Sequence, residues 1–527
     1  MTAIQTAPAP EASSARKQAS PARLEATDRL EWLIDNADGF RAFVALVRGA
    51  RRDLWISQLA FDADCVAYEV PDASGPGMSS TVTLADELRR AVGRGVRVRV
   101  LLNASLLLDT VAPLRRWLAA GDAASRFQVR GIHRFPQLLH AKMVIADEED
   151  ALLLGSPFAN GYWDDSTHAP IEARRPDREL GGRPIHDVSV RLGGPAVREL
   201  SRTFAELWNH AGDIAPGEEE PLRPASPPPT GVAPRDDAMR VVRTAPRRST
   251  PHHPDGRMEI LPALLDGIAR ARSVIYIEHQ YLSSRRVIDA LVAALARVPT
   301  LELIVVLNQN PDVTAYRVWQ NTRLRDAGLS DHPRVGLFAL WSVAPTSSGS
   351  TLLTQLFVHS KVVVIDDRWA MTGSANLDGV SLHSYGADFA SALGQRVFRD
   401  VRNFDVNLVV DADASDDGAN AAGDAVRSLR RALWHEHLGA SASSLDGEAG
   451  ALEAWRAAAR ANIGALCTRR AGPTARTLVL PYVTPSTPRA QLAALGIVPD
   501  AGSLALCFRP SWLEVHASPN WIRNMLA

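Results

Sequence analysis

Two ten-residue stretches with the same pattern decide the fold: LLHAKMVIAD at residues 138–147 and FVHSKVVVID at residues 357–366. Both are apolar runs rich in β-branched residues, which is typical of a buried strand. Each also carries a histidine, a lysine two residues later and an aspartate five residues after the lysine. Because residues i and i+2 of a strand share a face, the histidine and the lysine project together. The six residues are His140, Lys142, Asp147, His359, Lys361 and Asp366.

Lysine is almost absent from the rest of the chain. Of the 58 basic residues only three are lysines, namely Lys17, Lys142 and Lys361. Two of the three therefore lie inside the repeated pattern. Arginine presents a planar fork, whereas lysine is a compact point charge, so the two residues are not interchangeable at a tight anion site. We interpret the two internal lysines as a chemical requirement.

The segments around the two stretches form an internal repeat. Each copy begins with a strand, which ends at Gln58 in the first copy and at Gln280 in the second. A helix patterned at i, i+3 and i+4 follows, and then a strand that ends in Leu-Asn. A Gly-Ser turn, another strand and another helix follow the stretch. From the motif histidines onward the copies are offset by 218 or 219 residues; Asp187, for example, precedes Asp405 by 218. A constant offset across many elements indicates a duplication.

The alternation of strands and helices predicts an α/β fold: two pseudo-symmetric halves with mixed β-sheets flanked by helices, plus a C-terminal extension. A Pro-rich stretch separates the halves. The first residues, rich in Ala, Pro and Ser, predict a disordered tail. The last residues have no counterpart in the first half, and we expect them to pack on the second. The predicted boundaries are a tail at 1–28, a first half at 29–213, a linker at 214–236, a second half at 237–440 and the extension at 441–527.

Charge and composition exclude several classes of protein. The formal net charge is −1, which gives no overall attraction to nucleic acid, so no nucleic-acid partner is expected. The three cysteines are far apart and lack CxxC spacing, which argues against a disulfide framework and a zinc site. No secretory signal and no run of ~18 apolar residues is visible. We expect a cytoplasmic or peripheral membrane protein without an obligate protein partner.

The paired motifs, His-x-Lys-x4-Asp followed by Gly-Ser, resemble the signature of the phospholipase D superfamily. The resemblance covers roughly residues 40–439 and includes the strand end at Glu278 and the segment that begins at His186. It implies one active site at the interface of the halves, with one motif from each. It also implies phosphodiester chemistry through a covalent phosphohistidine, with no metal and no cofactor.

By this resemblance, His140 is the nucleophile and His359 the general acid, which then serves as the base. Imidazole suits both roles because its unperturbed pKa of about 6.5 allows either protonation state near neutral pH. The lysines are expected to hold the non-bridging phosphate oxygens. Asp147 and Asp366 complete the catalytic motif, although their position beyond each lysine suggests that they stabilise a strand end. The substrate-binding candidates are Ser156, Asn160, Ser374 and Asn376, and the candidates that orient the histidines are Asp187 and Asp405.

The first motif departs from the pattern after its Gly-Ser turn. It reads GSPFAN, whereas the second reads GSAN. We chose Asn160 as the equivalent of Asn376, with a backbone donor as the alternative and a loop-capping role as its simplest interpretation. The adjacent Tyr162 and Trp163 either line the entrance for an acyl chain or headgroup or belong to the core.

Three substrates use the same chemistry. A phospholipase D hydrolyses glycerophospholipids at a membrane surface to phosphatidic acid, with water or another alcohol as acceptor. A phosphatidyltransferase such as a cardiolipin synthase uses a glycerol hydroxyl, and a nuclease of the superfamily cleaves nucleic acid. The fused double motif and the neutral charge favour a lipid substrate, and the missing membrane helices favour hydrolysis. A silent scaffold is disfavoured because both His–Lys pairs are present.

Overall fold

The computed structural model describes most of the two predicted halves. The predicted tail and most of the predicted linker lie outside the described residues, as does much of the C-terminal extension. The described residues are 29–71, 79–105, 108–119, 126–134, 137–175, 182–211, 221–224, 238–250, 253–345, 351–384, 386, 392–414, 419–439, 450–468, 477–484 and 513–516.

The first half is built on an eight-stranded mixed sheet in the order β1-β12-β10-β9-β2-β5-β6, with β7 also paired to β5. The β2–β5 and β5–β7 pairs are parallel. A hairpin of β3 and β4 lies beside it, and two short strands, β8 and β11, pair elsewhere. The strands are β1 (Leu30–Ile34), β2 (Asp53–Gln58), β3 (Val66–Pro71), β4 (Ser79–Thr83), β5 (Arg97–Ser105), β6 (Leu108–Asp109), β7 (Phe127–Ile132), β8 (Leu138–Leu139), β9 (Met143–Ala146), β10 (Asp150–Leu153), β11 (Ile185–His186) and β12 (Val188–Gly193).

The second half repeats this order in a larger sheet, β14-β13-β22-β21-β20-β15-β16-β17-β18-β24, with β23 on β17 and β8 on β22. Strands β13, β22, β21, β20, β15, β16 and β17 thus correspond to β1, β12, β10, β9, β2, β5 and β7. The strands are β13 (Met239–Ala245), β14 (Arg257–Met258), β15 (Val274–His279), β16 (Glu302–Leu307), β17 (Val335–Pro345), β18 (Thr351–Gln355), β19 (Phe357–Val358), β20 (Lys361–Ile365), β21 (Trp369–Gly373), β22 (Asn403–Asp411), β23 (Leu478–Pro481) and β24 (Leu513–His516).

Helices cover the sheets, and the strongest sequence patterns coincide with them. The segment LADELRRAVG forms α2, which begins at a capping box between Thr83 and Asp86. The helices are α1 (Asn36–Gly49), α2 (Leu84–Gly93), α3 (Val111–Ala119), α4 (Pro195–His210), α5 (Ile260–Arg270), α6 (Arg285–Arg297), α7 (Thr314–Asp326), α8 (Gly379–Leu382), α9 (Ala392–Val397), α10 (Ala419–Leu438) and α11 (Ala451–Thr468), with 3₁₀ turns at Asn160–Tyr162 and Leu329–Asp331. Among the described helices, none is both long enough and apolar enough to cross a membrane.

One central core joins the halves. It contains side chains from both motif strands, such as Met143 and Val362, together with residues of α4 and α10. Two further clusters lie on the outer faces, one in each half. The α/β prediction with two related halves is confirmed. In the described part of the extension, α11 and β23 pack on the second half, where β23 pairs with β17.

Short strands cross between the halves next to the motifs. Strand β8, directly before His140, pairs in parallel with β22 of the second half. In the same way β11, directly before Asp187, pairs in parallel with β19, directly before His359. Each motif histidine is therefore held by backbone hydrogen bonds to the other half: the N–H of His140 donates to the carbonyl of Phe404 and the N–H of His359 to that of His186.

Candidate active site

The two motif histidines lie in one buried site between the halves, and each is paired with a carboxylate of the other half. His140 Nδ1 is 2.7 Å from Asp405 Oδ1, and His359 Nδ1 is 2.7 Å from Asp187 Oδ2. Both histidines are nearly inaccessible, at 7% and 4% exposure. Because the carboxylate engages Nδ1 in each ring, Nε2 is the nitrogen that can attack phosphorus or transfer a proton.

The two lysines place positive charge in the same buried site. Lys142 Nζ donates to the carbonyl of His140 over 2.9 Å, and Lys361 Nζ lies 3.1 Å from Nε2 of His359. Burial, reinforced by the charge of Lys361, lowers the pKa of Lys142 to about 7. Burial also lowers the pKa of Lys361 to about 8, although Asp187 opposes the shift. The site is therefore short of negative charge, which an anionic ligand would supply.

Burial and the neighbouring lysines also keep both imidazoles neutral at neutral pH. Burial, followed by the charge of Lys142, lowers the pKa of His140 to about 4. Burial and Lys361 lower the pKa of His359 to about 3. The carboxylate partners oppose both shifts but do not cancel them. A neutral imidazole is the form required of a nucleophile, so either ring can serve in that role before a ligand binds.

The two serines of the Gly-Ser turns support the carboxylates. Ser374 Oγ donates to Asp405 Oδ1 over 2.8 Å, and Ser156 Oγ donates to Asp187. This differs from the prediction that the serines bind substrate. The reason is that each hydroxyl lies behind a histidine–carboxylate pair, where the carboxylate is the nearest strong acceptor.

Asn376 and Asn160 have different environments. Asn376 is 6% exposed and its Oδ1 has no hydrogen-bond partner, which leaves the side chain available to a ligand. Asn160 instead donates to Asp64 and accepts the N–H of Val66 over 3.0 Å. Both polar atoms of the Asn160 amide thus hold the loop before β3, whereas the amide oxygen of Asn376 does not have such a contact.

The motif aspartates directly follow the motif strands β9 and β20, and they do not pair with the histidines. The carboxylate of Asp147 accepts the N–H groups of three successive residues, 51–53, at 2.8–2.9 Å. That of Asp366 accepts the N–H groups of residues 272–274. Both residues have positive φ, 55° and 53°. These contacts hold the residues at the start of β2 and of β15, as the position of the aspartates beyond the lysines suggested.

Comparison with known proteins identifies the family. Residues 264–393 match the family described as cardiolipin synthase, PLD-like domain. The chain is 22% identical over 479 residues to phospholipase D A of Dictyostelium discoideum, covering 77% of this chain and 35% of that protein. Together with the paired motifs, these matches support a relationship to the phospholipase D superfamily. It is also 28% identical over 208 residues to cardiolipin synthase B of Salmonella typhimurium, covering 38% of this chain and 44% of that one.

Other proteins match over shorter stretches or at lower identity. Phospholipase D zeta 1 of Arabidopsis thaliana is 29% identical over 147 residues, which cover 26% of this chain and 12% of that protein. Phosphatidylserine synthase of Haemophilus influenzae aligns in structure with a TM-score of 0.47 and 12% identity, over 75% of this chain and 85% of that one. The chain spans about a third of the length of the first curated relative that it matches.

Gln58 and His279 are two buried polar residues that lie beside the motif lysines. The sequence had not indicated them as site residues. His279 pairs with Lys361 in the β15–β20 ladder. In the β2–β9 ladder Ser57 pairs with Met143, which puts Gln58 next to Lys142. The ladder therefore equates Gln58 with His279, not with Gln280 as the sequence alignment had it. Both side chains are buried and have atoms without hydrogen-bond partners. Only the strand register could have revealed them.

The two adjacent aromatics divide between the alternatives. The ring of Tyr162 stands edge-on to the ring of His359, with centroids 5.1 Å apart, so it lines the site. Trp163 is 5% exposed and packs in the core of the first half, with the guanidinium of Arg174 over its ring at 3.5 Å. The two adjacent aromatic side chains thus lie in different environments, Tyr162 in the site and Trp163 in the core.

Proposed function

We propose that this protein is a phospholipase-D-type phosphodiesterase that transfers the phosphatidyl group of a glycerophospholipid to water or another alcohol. The observation that carries the proposal is the pair of histidine–carboxylate contacts that cross between the halves. They orient two imidazoles whose Nε2 atoms are left for phosphorus and the leaving group, beside two buried ammonium groups. Two oriented imidazoles and two ammonium groups are the groups that in-line displacement at a phosphodiester requires.

In the first step, Nε2 of His140 forms a bond to phosphorus while the bond to the headgroup oxygen breaks. The departing alkoxide takes a proton from Nε2 of His359. In the second step, water or an alcohol gives its proton to His359 as its oxygen bonds to phosphorus, and the bond to His140 breaks. Phosphatidic acid or a new phosphatidyl ester leaves, and both imidazoles return to their starting states.

Binding of the diester favours the uptake from solvent of the proton that His359 needs as the acid. Without a ligand, burial and Lys361 keep His359 neutral. A diester anion beside Lys142 and Lys361 offsets their charge, so the proton affinity of His359 rises when substrate is bound. The acid therefore forms in the presence of its substrate.

The names of the relatives support a lipid substrate. Several relatives are called phospholipase D, and another is a cardiolipin synthase. The match of residues 264–393 to the family described as cardiolipin synthase, PLD-like domain, favours a second candidate, a phosphatidyltransferase with a glycerol hydroxyl as acceptor. Both reactions share the first step and differ in the acceptor.

Product analysis tests the proposal. Purified protein is incubated with vesicles of mixed phosphatidylcholine, phosphatidylethanolamine and phosphatidylglycerol, with and without ethanol. We expect phosphatidic acid, and phosphatidylethanol when ethanol is present, because the phosphatidyl-enzyme partitions between acceptors. Cardiolipin as the main product would select the phosphatidyltransferase. No lipid product, with cleavage of single-stranded DNA instead, would overturn the choice of substrate.

The control is a pair of inactive variants. His140→Ala and His359→Ala each remove one imidazole, and we expect either change to lower turnover by roughly 10³-fold or more. Circular dichroism and urea unfolding verify that the variants fold. Substantial turnover in either folded variant would contradict the two-histidine mechanism.

A further inference from the structure

A buried network of histidines and carboxylates joins the halves behind His359, and the catalytic roles assigned so far do not use it. Every member is at most 7% exposed. The first half contributes four members and the second half three. We call it the interface network; its members are Asp35, Asp164, His168, His186, Glu278, Glu436 and His437.

The network is continuous through its histidine rings. Nδ1 of His186 is 2.9 Å from Asp35 and 3.0 Å from Glu436, and its Nε2 is in ionic contact with Glu278 at 2.8 Å. His168 bonds Glu436 at 2.9 Å through Nε2. On the far side, Nε2 of His437 is 2.9 Å from Glu278. Burying this many charges is costly unless the arrangement serves a purpose.

Four hydrogen bonds connect the network to the catalytic pair of His359 and Asp187. The carbonyl of His186 accepts the N–H of His359 over 2.8 Å and that of Ser360 over 3.2 Å. The hydroxyl of Ser360 donates to Glu278. The N–H of Asp35 donates to the carbonyl of Asp187 over 2.8 Å. Both partners of the His359–Asp187 contact are thus anchored to the same set of buried charges.

The positions behind His140 that correspond to His186 and Glu278 carry no charge. The register of β8 on β22 equates Phe404 with His186, because each precedes the orienting aspartate and accepts the N–H of the motif histidine. The ladders of β2 and β15 equate Ser57 with Glu278. Ala141 stands where Ser360 stands in the second motif. Duplicated halves therefore differ at the three positions that contact the motif from behind.

We propose that the interface network is a positioning device that makes the two motif histidines unequal, holding His359 for proton transfer while His140, backed by the uncharged residues Ser57, Ala141 and Phe404, serves as nucleophile. The inference rests on the proposed function and deepens it. His186, Glu278 and Ser360 are positioning residues, since they act through His359 and Asp187. An acid must hold its proton within hydrogen-bond distance of a leaving oxygen, and small displacements cost much of its effect.

The charge states are consistent with a network held by shared protons. Although burial opposes it, Asp35 and Asp164 raise the pKa of His168 to about 10. Burial, followed by the charge of Glu436, raises the pKa of Asp35. The charged ring of His168 thus lies between the carboxylates of Asp164 and Glu436. The same atoms are also close enough to hold a cation, so the test includes metal analysis.

Leaving-group dependence distinguishes positioning of an acid from general support of the fold. Two lipids with the same phosphatidyl group are compared, phosphatidylethanolamine and phosphatidyl-p-nitrophenol. The ethanolamine alkoxide needs a proton as it leaves, whereas p-nitrophenolate does not. The measured quantity is the rate of headgroup release in a single turnover, for the wild type and for Glu278→Gln, Ser360→Ala and His186→Phe.

We expect Glu278→Gln and Ser360→Ala to slow ethanolamine release by roughly 10- to 100-fold and p-nitrophenol release by less than about threefold. Ser57→Ala is the matched control behind His140 and should not distinguish the two leaving groups. Ser360→Ala removes a single hydroxyl, so it keeps the test available if Glu278→Gln or His186→Phe does not fold.

Equal slowing of both leaving groups would overturn the proposal and reduce the network to a structural role. One equivalent of tightly bound metal in the purified wild type, lost in His186→Phe, would also overturn it, because the cluster would then be a metal site. If the wild type releases neither headgroup, the proposed function itself fails, which separates that outcome from failure of the network.

Discussion

Lys142 and Lys361 have lowered pKa values because the protein buries two ammonium groups in one site. Burial is the larger cause for both, and the repulsion from Lys361 adds to it for Lys142. A folded protein normally avoids this arrangement, since each buried charge loses its hydration. The cost is consistent with a site prepared for an anion, and it should be visible in the stability of variants.

Lys142→Met should stabilise the protein while abolishing turnover. The unfolded lysine keeps its proton up to a pH of about 10.4, whereas the folded lysine releases it near pH 7. Between these values the unfolded state binds more protons, so the wild type gains stability as pH rises. We expect the variant to be more stable by about 1–4 kcal/mol at pH 6, with a gap that narrows toward pH 10. Urea unfolding at several pH values measures this difference in the free energy of unfolding. A wild type more stable than the variant at pH 6 would contradict the prediction.

The carboxylates Asp405 and Asp187 should matter through their charge. Asp405→Asn and Asp187→Asn keep the shape but lose the anion that orients and balances an imidazole. We expect each change to lower kcat by roughly 10²- to 10⁴-fold, with a smaller effect on KM. Asp147→Asn is the matched control outside the site and should leave kcat near the wild-type value. Steady-state kinetics measure kcat and KM for each variant. A wild-type kcat in Asp405→Asn would exclude the role of Asp405 in orienting His140.

At the scale of elements, the motif aspartates connect strand β9 to the start of β2 and strand β20 to the start of β15. Each carboxylate accepts three successive backbone N–H groups. Each adopts a left-handed conformation that aspartate tolerates better than most residues. The position of the motif lysine therefore depends on this turn without any contact between the aspartate and the histidines.

Asp147→Ala should destabilise the protein without changing the chemistry. The change removes three hydrogen bonds and puts alanine at a φ of 55°, so we expect a loss of about 2–4 kcal/mol. The folded fraction should keep its kcat. Urea unfolding and active-site titration separate the two quantities. A large fall in kcat per folded molecule would return Asp147 to the catalytic set.

Element by element, the sequence predicted best where periodicity is strong. The helices at LADELRRAVG and VIDALVAALAR and the two motif strands occur where their patterns indicated. The contacts of Asn160 with Asp64 and Val66 could not be predicted, because the first turn differs by an insertion and spacing alone cannot say which way an inserted loop turns. Gln58 and His279 were missed because their relation to the lysines is a ladder register between distant segments.

On the scale of the whole molecule, the exchange of strands between halves creates the site. β8 and β11 each leave their own sheet to pair with the other half. The histidine–carboxylate contacts follow the same exchange. Each motif histidine therefore has its carboxylate partner in the other half.

Binding of an anion to the whole protein should therefore be linked to proton uptake. Inorganic phosphate or tungstate offsets the charges of Lys142 and Lys361, whose pKa values of about 7 and 8 would rise. At pH 8 we expect uptake of close to one proton on binding, together with a higher Tm. Isothermal titration calorimetry in buffers with different ionisation enthalpies counts the protons. His140→Ala/His359→Ala should still show uptake, and binding without it would show that both lysines are already charged.

The sequence by itself determined the α/β class, the duplication and the two histidine–lysine pairs, because strand periodicity and residue chemistry are local properties. It also indicated Asp187 and Asp405, since a repeat makes equivalent positions visible. Only the tertiary structure decided that each of these aspartates contacts the histidine of the other half, that the serines hold carboxylates, and that a network of buried histidines and carboxylates lies behind His359. Those facts depend on which surfaces of two similar halves meet, and contacts more than 170 residues apart leave no periodic trace in one sequence.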